Sequence, residues 1–381
     1  MKKPKKLLFT LIFYVLIILF IVVVDMIMVK FISKGFNQGE GISFYSNSGV
    51  KVIDSGNDLK LLLSPICVYK NYPNQKGKYR INSLGFRGGE IEKEKRKDKI
   101  RIVCIGGSSI FGWSITDEGK TIPRLLEMKD EKLEVINAGV LGYTSAQELG
   151  LFIEDIYELN PDIVICYNLW NDLFFSLQSG EEYRGVNNVY NGIEILLEED
   201  IKYREQVVPG LMIFMRNLFF KTNLGKGRKV YLDDNKMLNE LDRINNEIET
   251  DFNDLRIKES LKLYKKNMRI ILNITRVEGI EFLVVLQPEI NTKRNQTKAE
   301  WDCQQLPFPS YLEHFSPIFK CAVIDLEKYF KEANINYINI NAEEEFVGSR
   351  DTLFMDFIHT NEKGNDIVAE IIYDYLKQSI K

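Results

Sequence analysis

Residues 100–113 read IRIVCIGGSSIFGW, an apolar run that breaks off into two glycines, two serines and a third glycine. From Ile100 to Ile105 the residues are β-branched or small apart from Arg101, and they do not alternate strictly between polar and apolar. That is the pattern of a strand covered on both faces in a parallel sheet. The glycines and serines then predict a sharp turn and the start of a helix. Strands of this kind carry chemistry at their carboxyl ends.

Three chemistries use such a turn. Gly107 and Gly112 have the G-x-x-x-x-G spacing of a phosphate-binding loop, but Trp113 and Ser114 stand where Lys and Ser/Thr would hold phosphates and Mg²⁺. A dinucleotide fingerprint needs G-x-G-x-x-G, which Gly106, Ser108 and Phe111 do not supply. The third is a nucleophilic serine, Ser108 or Ser109, presented at a strand end with glycines removing bulk around it. Two glycines and two serines also make an ordinary turn, so the rest of the chain decides.

Downstream of the turn, TIPRLLEMK (121–129) has the spacing of an amphipathic helix and LEVINAG (133–139) reads as a second strand. The stretch VLGYTSAQELGLFIEDIYELN (140–160) turns through Gly142 into a helix that Thr144 or Ser145 would cap. PDIVICYNL (161–169) is a third strand, opening into WNDLFFS. After Ile257 come a helix, the strand IEFLVVLQP (280–288), one or two helices in SYLEHFSPIFKCAVIDLEKYFKEAN (310–334), the strand INYINI (335–340) and a final amphipathic helix. Strands alternating with helices predict an α/β fold with a parallel sheet and crossover helices.

Other parts lie outside this rhythm. Residues 176–255 form an insertion, and its apolar stretch 207–220 reads as a buried helix, with a lid or a membrane-facing helix as alternatives. Residues 31–79 read as a connecting stretch with room for a short hairpin. The charged run EIEKEKRKDK (90–99) reads as a solvated segment, and Arg87, between glycines, as a surface arginine, with a place near an anionic group as the alternative. At the start, MKKPKK carries four lysines and residues 7–24 are apolar apart from Thr10. A span through residues 7–29 would anchor the chain in a membrane as an uncleaved single pass, N-terminus cytoplasmic and the remainder outside the cytoplasm. The expected division is therefore 1–30 basic tail and anchor, 31–98 linker and extension, and 99–381 the catalytic domain.

A net charge of −4 argues against general nucleic-acid binding. Five cysteines, an odd number, make no disulfide framework. Cys303 and Cys321 could pair, which spacing does not decide. Only two histidines occur, His314 and His359, so a multi-histidine metal site is excluded and a histidine base has two candidates. His314 falls mid-helix without a partner and reads as structural.

The carboxyl ends of parallel strands share one edge, which brings sequence-distant residues together. Ser108 follows the first strand, Gly142 the second and Asn171 the third, while DTLFMDFIHTNEKG (351–364) places Asp356 and His359 three residues apart before the last helix. A serine hydroxyl needs a base to take its proton, and His359 is available. Asp356 could accept a hydrogen bond from the other ring nitrogen. The N–H groups of Ser108 and Gly142, with the side-chain amide of Asn171, would be donors to an oxyanion, each typically worth about 3 kcal/mol in the transition state.

This arrangement resembles the SGNH family, the GDSL-type esterases and lipases, whose blocks centre on Ser, Gly, Asn and His with Asp three before the His. IGGSSIFG looks like the first block, with Ser108 as nucleophile and Gly107 where many members have Asp; NAGVLGYTS is similar to the second, placing Gly142 in the oxyanion hole. YNLWNDL resembles the third, G-x-N-D, with Asn171 as amide donor and Leu169 in place of the glycine, and DFIH supplies Asp356 and His359. The resemblance covers residues 79–175 and 257–381. It implies a three-layer α/β/α sandwich around a mostly parallel five-stranded sheet, and no metal or organic cofactor. It also implies a serine esterase whose substrate is an ester, most simply O-acetyl, on a carbohydrate or cell-envelope molecule. O-acyl transfer to an exported glycan, lipid or lysophospholipid ester cleavage, and an inactive glycan-binding protein are the alternatives.

Overall fold

Five of the strands form one parallel sheet whose three central strands are buried almost throughout, while its two edge strands keep partly exposed residues. In the computed structural model these are β4 (Ile100–Gly106), β5 (Leu133–Gly139), β6 (Ile163–Asn168), β7 (Glu281–Leu286) and β8 (Asn336–Asn339), in the order β5-β4-β6-β7-β8. All four pairings are parallel, with Val103 beside Ile136 and Val164. The structure describes residues 52–54, 59–179, 185, 254–304 and 309–377, all within the unit formed by residues 43–190 and 232–381. The expected membrane span 7–29 and the stretch 207–220 lie outside the described residues. Among the described residues no helix is long and apolar enough to cross a membrane.

Alternate strand residues serve opposite layers. Ile102, Cys104, Ile163, Ile165, Tyr167, Leu283, Val285 and Ile338 share one core with α2 (Ile122–Glu127) and the final helix, α9 (Glu362–Leu376), through Ile122, Leu126, Val368 and Ile372. Their neighbours Val103, Ile105, Val164, Cys166, Phe282 and Val284 are equally buried toward the other side. There α3 (Ser145–Leu151), α4 (Trp170–Ser179) and α5 (Leu255–Glu278) pack together, and α5 also lies on β7. The three layers of the sequence reading are therefore present. The first turn of the chain's reading becomes a one-turn helix, α1 (Ser108–Phe111), and α6 (Lys298–Gln304) and α8 (Glu344–Val347) are short.

Local signals set the ends of the elements. Thr144, rather than Ser145, caps α3 in a reciprocal box with Gln147. Asp254 caps α5 by accepting from the N–H of Arg256, and the helix stops at left-handed Gly279, where Ile280 N–H reaches back to Thr275 O. Residues 309–333 form one helix, α7 (Pro309–Ala333), with Pro317 inside it. Cys303 and Cys321 are both free thiols.

Two expectations for the amino-terminal side are corrected. Residues 52–71 hold a three-stranded antiparallel sheet, β1 (Val52–Asp54), β2 (Lys60–Ser64) and β3 (Val68–Asn71), where a connecting stretch with at most a short hairpin was expected. Leu61 of β2 and Tyr69 of β3 are fully buried, and Tyr69 Oη donates to Leu141 O. Arg87 is not at the surface but 5% exposed. Its guanidinium donates to the carbonyls of Phe111 and Gly112, each at 2.6 Å, and to that of Ile115, and it stacks over the rings of Tyr79 and Phe111. Phe111 O and Gly112 O lie at the end of α1, where a cation is favoured, and each has a second donor, Asn137 Nδ2 for Phe111 O and Ile115 N–H for Gly112 O. Burial lowers the Arg87 guanidinium to about 10, so it stays charged at neutral pH. Arg87→Met removes a charged donor from three carbonyls, of which Phe111 O and Gly112 O keep another donor, and is expected to cost about 2 kcal/mol, read as a lower urea midpoint; a change under 0.5 kcal/mol would show that the clamp is redundant.

Candidate active site

The helix start after β4 aims Ser108 at the carboxyl edge of the sheet. Gly107 precedes it, and a Cβ at that position would lie 2.5 Å from Asn171 Nδ2 and 3.4 Å from Tyr143 O. Most other residues would therefore push the Asn171 amide away. His359 comes from the far end of the chain on a tight loop: Phe354 and Thr360 form an antiparallel bridge and Met355 N–H donates to His359 O. Asn361 then caps α9 through Gly364 N–H.

Ser108 Oγ lies 2.7 Å from His359 Nε2, and His359 Nδ1 lies 2.6 Å from Asp356 Oδ2. The other oxygen of Asp356 accepts the N–H groups of Ile358 (2.9 Å) and His359 (2.7 Å). Burial opposes charge on Asp356, but hydrogen bonding and attraction from His359 and the two backbone donors prevail and hold its carboxyl below the usual range. It is thus a carboxylate at neutral pH, able to fix the tautomer that leaves Nε2 free to take a proton from Ser108. Ser109, the alternative nucleophile, is buried; His359 bonds Ser108 instead.

The other two segments meet the same edge. Gly142 has φ +72°, a left-handed turn that suits glycine. Its neighbour Tyr143 accepts a 2.8 Å hydrogen bond from Asn171 Nδ2, which leaves the second N–H of that amide to point elsewhere. So the structure brings Ser108, Asp356, His359, Gly142 and Asn171 onto one edge. The side chain of His314 lies outside the described residues.

Leu169 occupies the glycine position of the third block with φ +112°, a region L side chains rarely adopt. The strain is held by packing. Leu169 is fully buried, and the next residue, Trp170, packs on Phe315 (4.2 Å between ring centres), Phe357 (5.3 Å) and Phe319 (5.7 Å).

Sequence reasoning missed a polar network behind the edge. Asp172, 2% exposed, accepts from Ser145 N–H (3.0 Å) and Ser145 Oγ (2.5 Å), and Asn267 of α5 donates to Ser145 Oγ. This ties the start of α3, just past Gly142, to the start of α4, just past Asn171. Burial pushes Asp172 up to about 7. The D of YNLWNDL was the available signal, but nothing in sequence shows that it faces inward.

A second buried carboxyl follows β7. Glu289 accepts from Ser316 Oγ (2.8 Å), while its Oε2 and the nearby Gln287 Nε2 have no protein partner among the described residues. Ile290 N–H donates to Phe357 O, beside Asp356. Burial raises Glu289 to about 7. A carboxyl raised above its unfolded value binds more protons when folded, so its contribution is full below about pH 4 and is lost as pH rises through about 7. Glu289→Gln is therefore expected to flatten the fall in stability between pH 5 and 8 by on the order of 2 kcal/mol, measured as urea midpoints; an unchanged slope would contradict this.

No protein-family model matches the sequence, and no curated protein does. Solved structures do. An acylhydrolase from Bacteroides fragilis aligns at 14% identity over 76% of this chain and 91% of its own, with a TM-score of 0.39. A GDSL-like lipase from Bacteroides thetaiotaomicron aligns at 14% over 75% and 91%, TM-score 0.41. An acetyl xylan esterase aligns at 13% over 73% and 100%, TM-score 0.40.

Proposed function

We propose that this chain is a serine ester hydrolase of the SGNH type that removes an acyl group, most simply acetyl, from a carbohydrate or cell-envelope molecule. We place it at the outer face of a membrane, held by residues 7–29. The observation that carries the catalytic reading is the unbroken hydrogen-bonded chain Ser108–His359–Asp356. A protein that had kept the fold only for binding has no use for it.

In the proposed reaction His359 Nε2 takes the Ser108 proton as Oγ attacks the ester carbonyl. Negative charge gathers on the carbonyl oxygen, where the Ser108 and Gly142 N–H groups and the second Asn171 N–H stabilise it. Imidazolium then returns its proton to the leaving sugar oxygen, and an acyl-enzyme remains on Ser108. Water, deprotonated by His359, attacks that acyl group; the bond to Ser108 Oγ then breaks as the imidazolium returns the proton to it, and the carboxylic acid leaves. Asp356 stays ionised throughout and steadies the imidazolium.

The test is fluorophosphonate labelling of the full chain in neutral detergent, together with acetate release from an O-acetylated polysaccharide. The expected result is labelling that survives Ser109→Ala and acetate release that follows the label. Folded protein that takes no label, or label lost only in Ser109→Ala, would overturn the assignment. Transfer of acetyl to added sugar in place of acetate release would make the enzyme an acyltransferase.

A further inference from the structure

The outer face of α5 carries a charge pattern that the ester chemistry does not use. A groove of about 620 Å³ there is lined by Lys258, Lys262, Lys265, Lys266 and Arg269. Among the described residues its single acid is Asp325 of α7, which pairs with Lys265 at 2.5 Å. Lys262 meets Glu259 at 3.2 Å, but both are more than half exposed, so that pair neutralises little. No carboxylate among the described residues pairs with Lys266 or Arg269. The groove is therefore cationic in a chain whose net charge is −4.

We infer that this groove binds an extended acidic glycan, and that it guides such a polymer toward Ser108. Positions 258, 262 and 266 succeed one another at four-residue steps, about 6 Å apart along the helix, and 265 and 269 form a second such row. From 258 to 269 the charges extend over roughly 16 Å. A small anion needs donors that converge on a point; charges strung along two helical rows match a chain with a repeating charge. The groove is concave, which suits a polymer strand better than a flat lipid surface. Tyr329 closes one wall, its ring 5.3 Å from Lys265 Nζ, and offers an apolar face of the kind sugar rings pack on.

Topology links the groove to the proposed catalytic centre. Helix α5 delivers the chain to the amino end of β7, which runs parallel to β6, so α5 begins at the carboxyl edge where Ser108 and His359 meet. Lys258 and Lys262 are in its first turns. The inference deepens the carbohydrate-ester reading and rests on it for the polymer's being a substrate, while binding itself can be measured without catalysis.

The probe is polygalacturonate, with its fully methyl-esterified form as the uncharged control, and full-length protein in neutral detergent. The acidic polymer should bind at least 10-fold more tightly than the control, and its affinity should fall with salt as bound counterions are displaced. Lys262→Glu/Lys266→Glu should weaken binding at least 10-fold, Lys262→Gln/Lys266→Gln by less, with unchanged circular dichroism, and Ser108→Ala should bind like wild type. Equal binding of both polymers, or charge-reversed protein that binds normally, would overturn the inference. So would displacement by millimolar inorganic phosphate alone, which would mean a small-anion site, or by micelles doped with phosphatidylglycerol, which would mean a lipid site. Failure of fluorophosphonate to label Ser108 would remove the hydrolase reading and leave the binding result standing.

Discussion

Ser108→Ala is expected to lower kcat for ester hydrolysis by on the order of 10⁴- to 10⁶-fold, with KM changed far less. Without Oγ there is no atom to form the acyl-enzyme, and what survives comes from donors that still polarise the carbonyl and favour attack by water. His359→Ala should be similarly severe, because Oγ 2.7 Å from Nε2 then has no base. The two changes disable one device, so the double variant should be no slower than the worse single one. Initial rates of acetate release from the three variants decide it. A Ser108→Ala protein that keeps a tenth of wild-type activity, or effects that multiply, would contradict the proposed chemistry.

Lys293→Met is expected to be among the most destabilising single changes, at about 3–5 kcal/mol. Lys293 and Glu300 form a pair at 2.7 Å in which both side chains are fully buried. Lys293 Nζ also donates to Asn295 O, and Glu300 accepts the N–H groups of Thr297 and Leu353. Burial works against charge on Glu300, but Lys293 and the backbone donors outweigh it and hold the carboxyl below its ordinary value. That stabilisation is present above the usual glutamate range and is lost as pH falls through the lowered value. With lysine gone the carboxylate is left buried and uncompensated, so the penalty should be full at pH 7 and smaller near pH 5, where Glu300 can protonate. Lys293→Met/Glu300→Gln should regain part of the loss. Urea titrations at both pH values test this; a loss under 1 kcal/mol at pH 7 would mean that water reaches the pair. Because Glu300 holds the backbone of Leu353, three residues before Asp356, the single variant should also lose activity before it unfolds.

What was legible in the sequence was what depends on local pattern. Strand β5 begins and ends at the residues its run marks out, and β4, β6, β7 and β8 differ from theirs by a residue or two at the ends; the central β4, β6 and β7 are the clearest because they are buried almost throughout. The meeting of Ser108 with Asp356 and His359 was legible for a topological reason: parallel strands put all their carboxyl ends on one side. What stayed hidden depends on which way a polar side chain turns. Arg87 between glycines and Asp172 after Asn171 look like surface residues in a one-dimensional reading. Both are buried because a partner far along the chain, the end of α1 for one and Ser145 for the other, needs what they offer. The sheet of β1–β3 was missed for a related reason: its strands are short and hold together by docking on the Gly142 loop. Leu169 is the inverse case, a fully buried residue unsuited to its backbone angle, followed by Trp170, which the aromatic packing fixes.

Ser108 and His359 are 251 residues apart in sequence, and this has a consequence for the biosynthesis of the protein. The serine leaves the ribosome long before its base does. Until the segment that carries His359 has been made, Ser108 lacks the base that the proposed reaction gives it. On the proposed chemistry, a chain that lacks His359 would keep its serine but have no base to activate it.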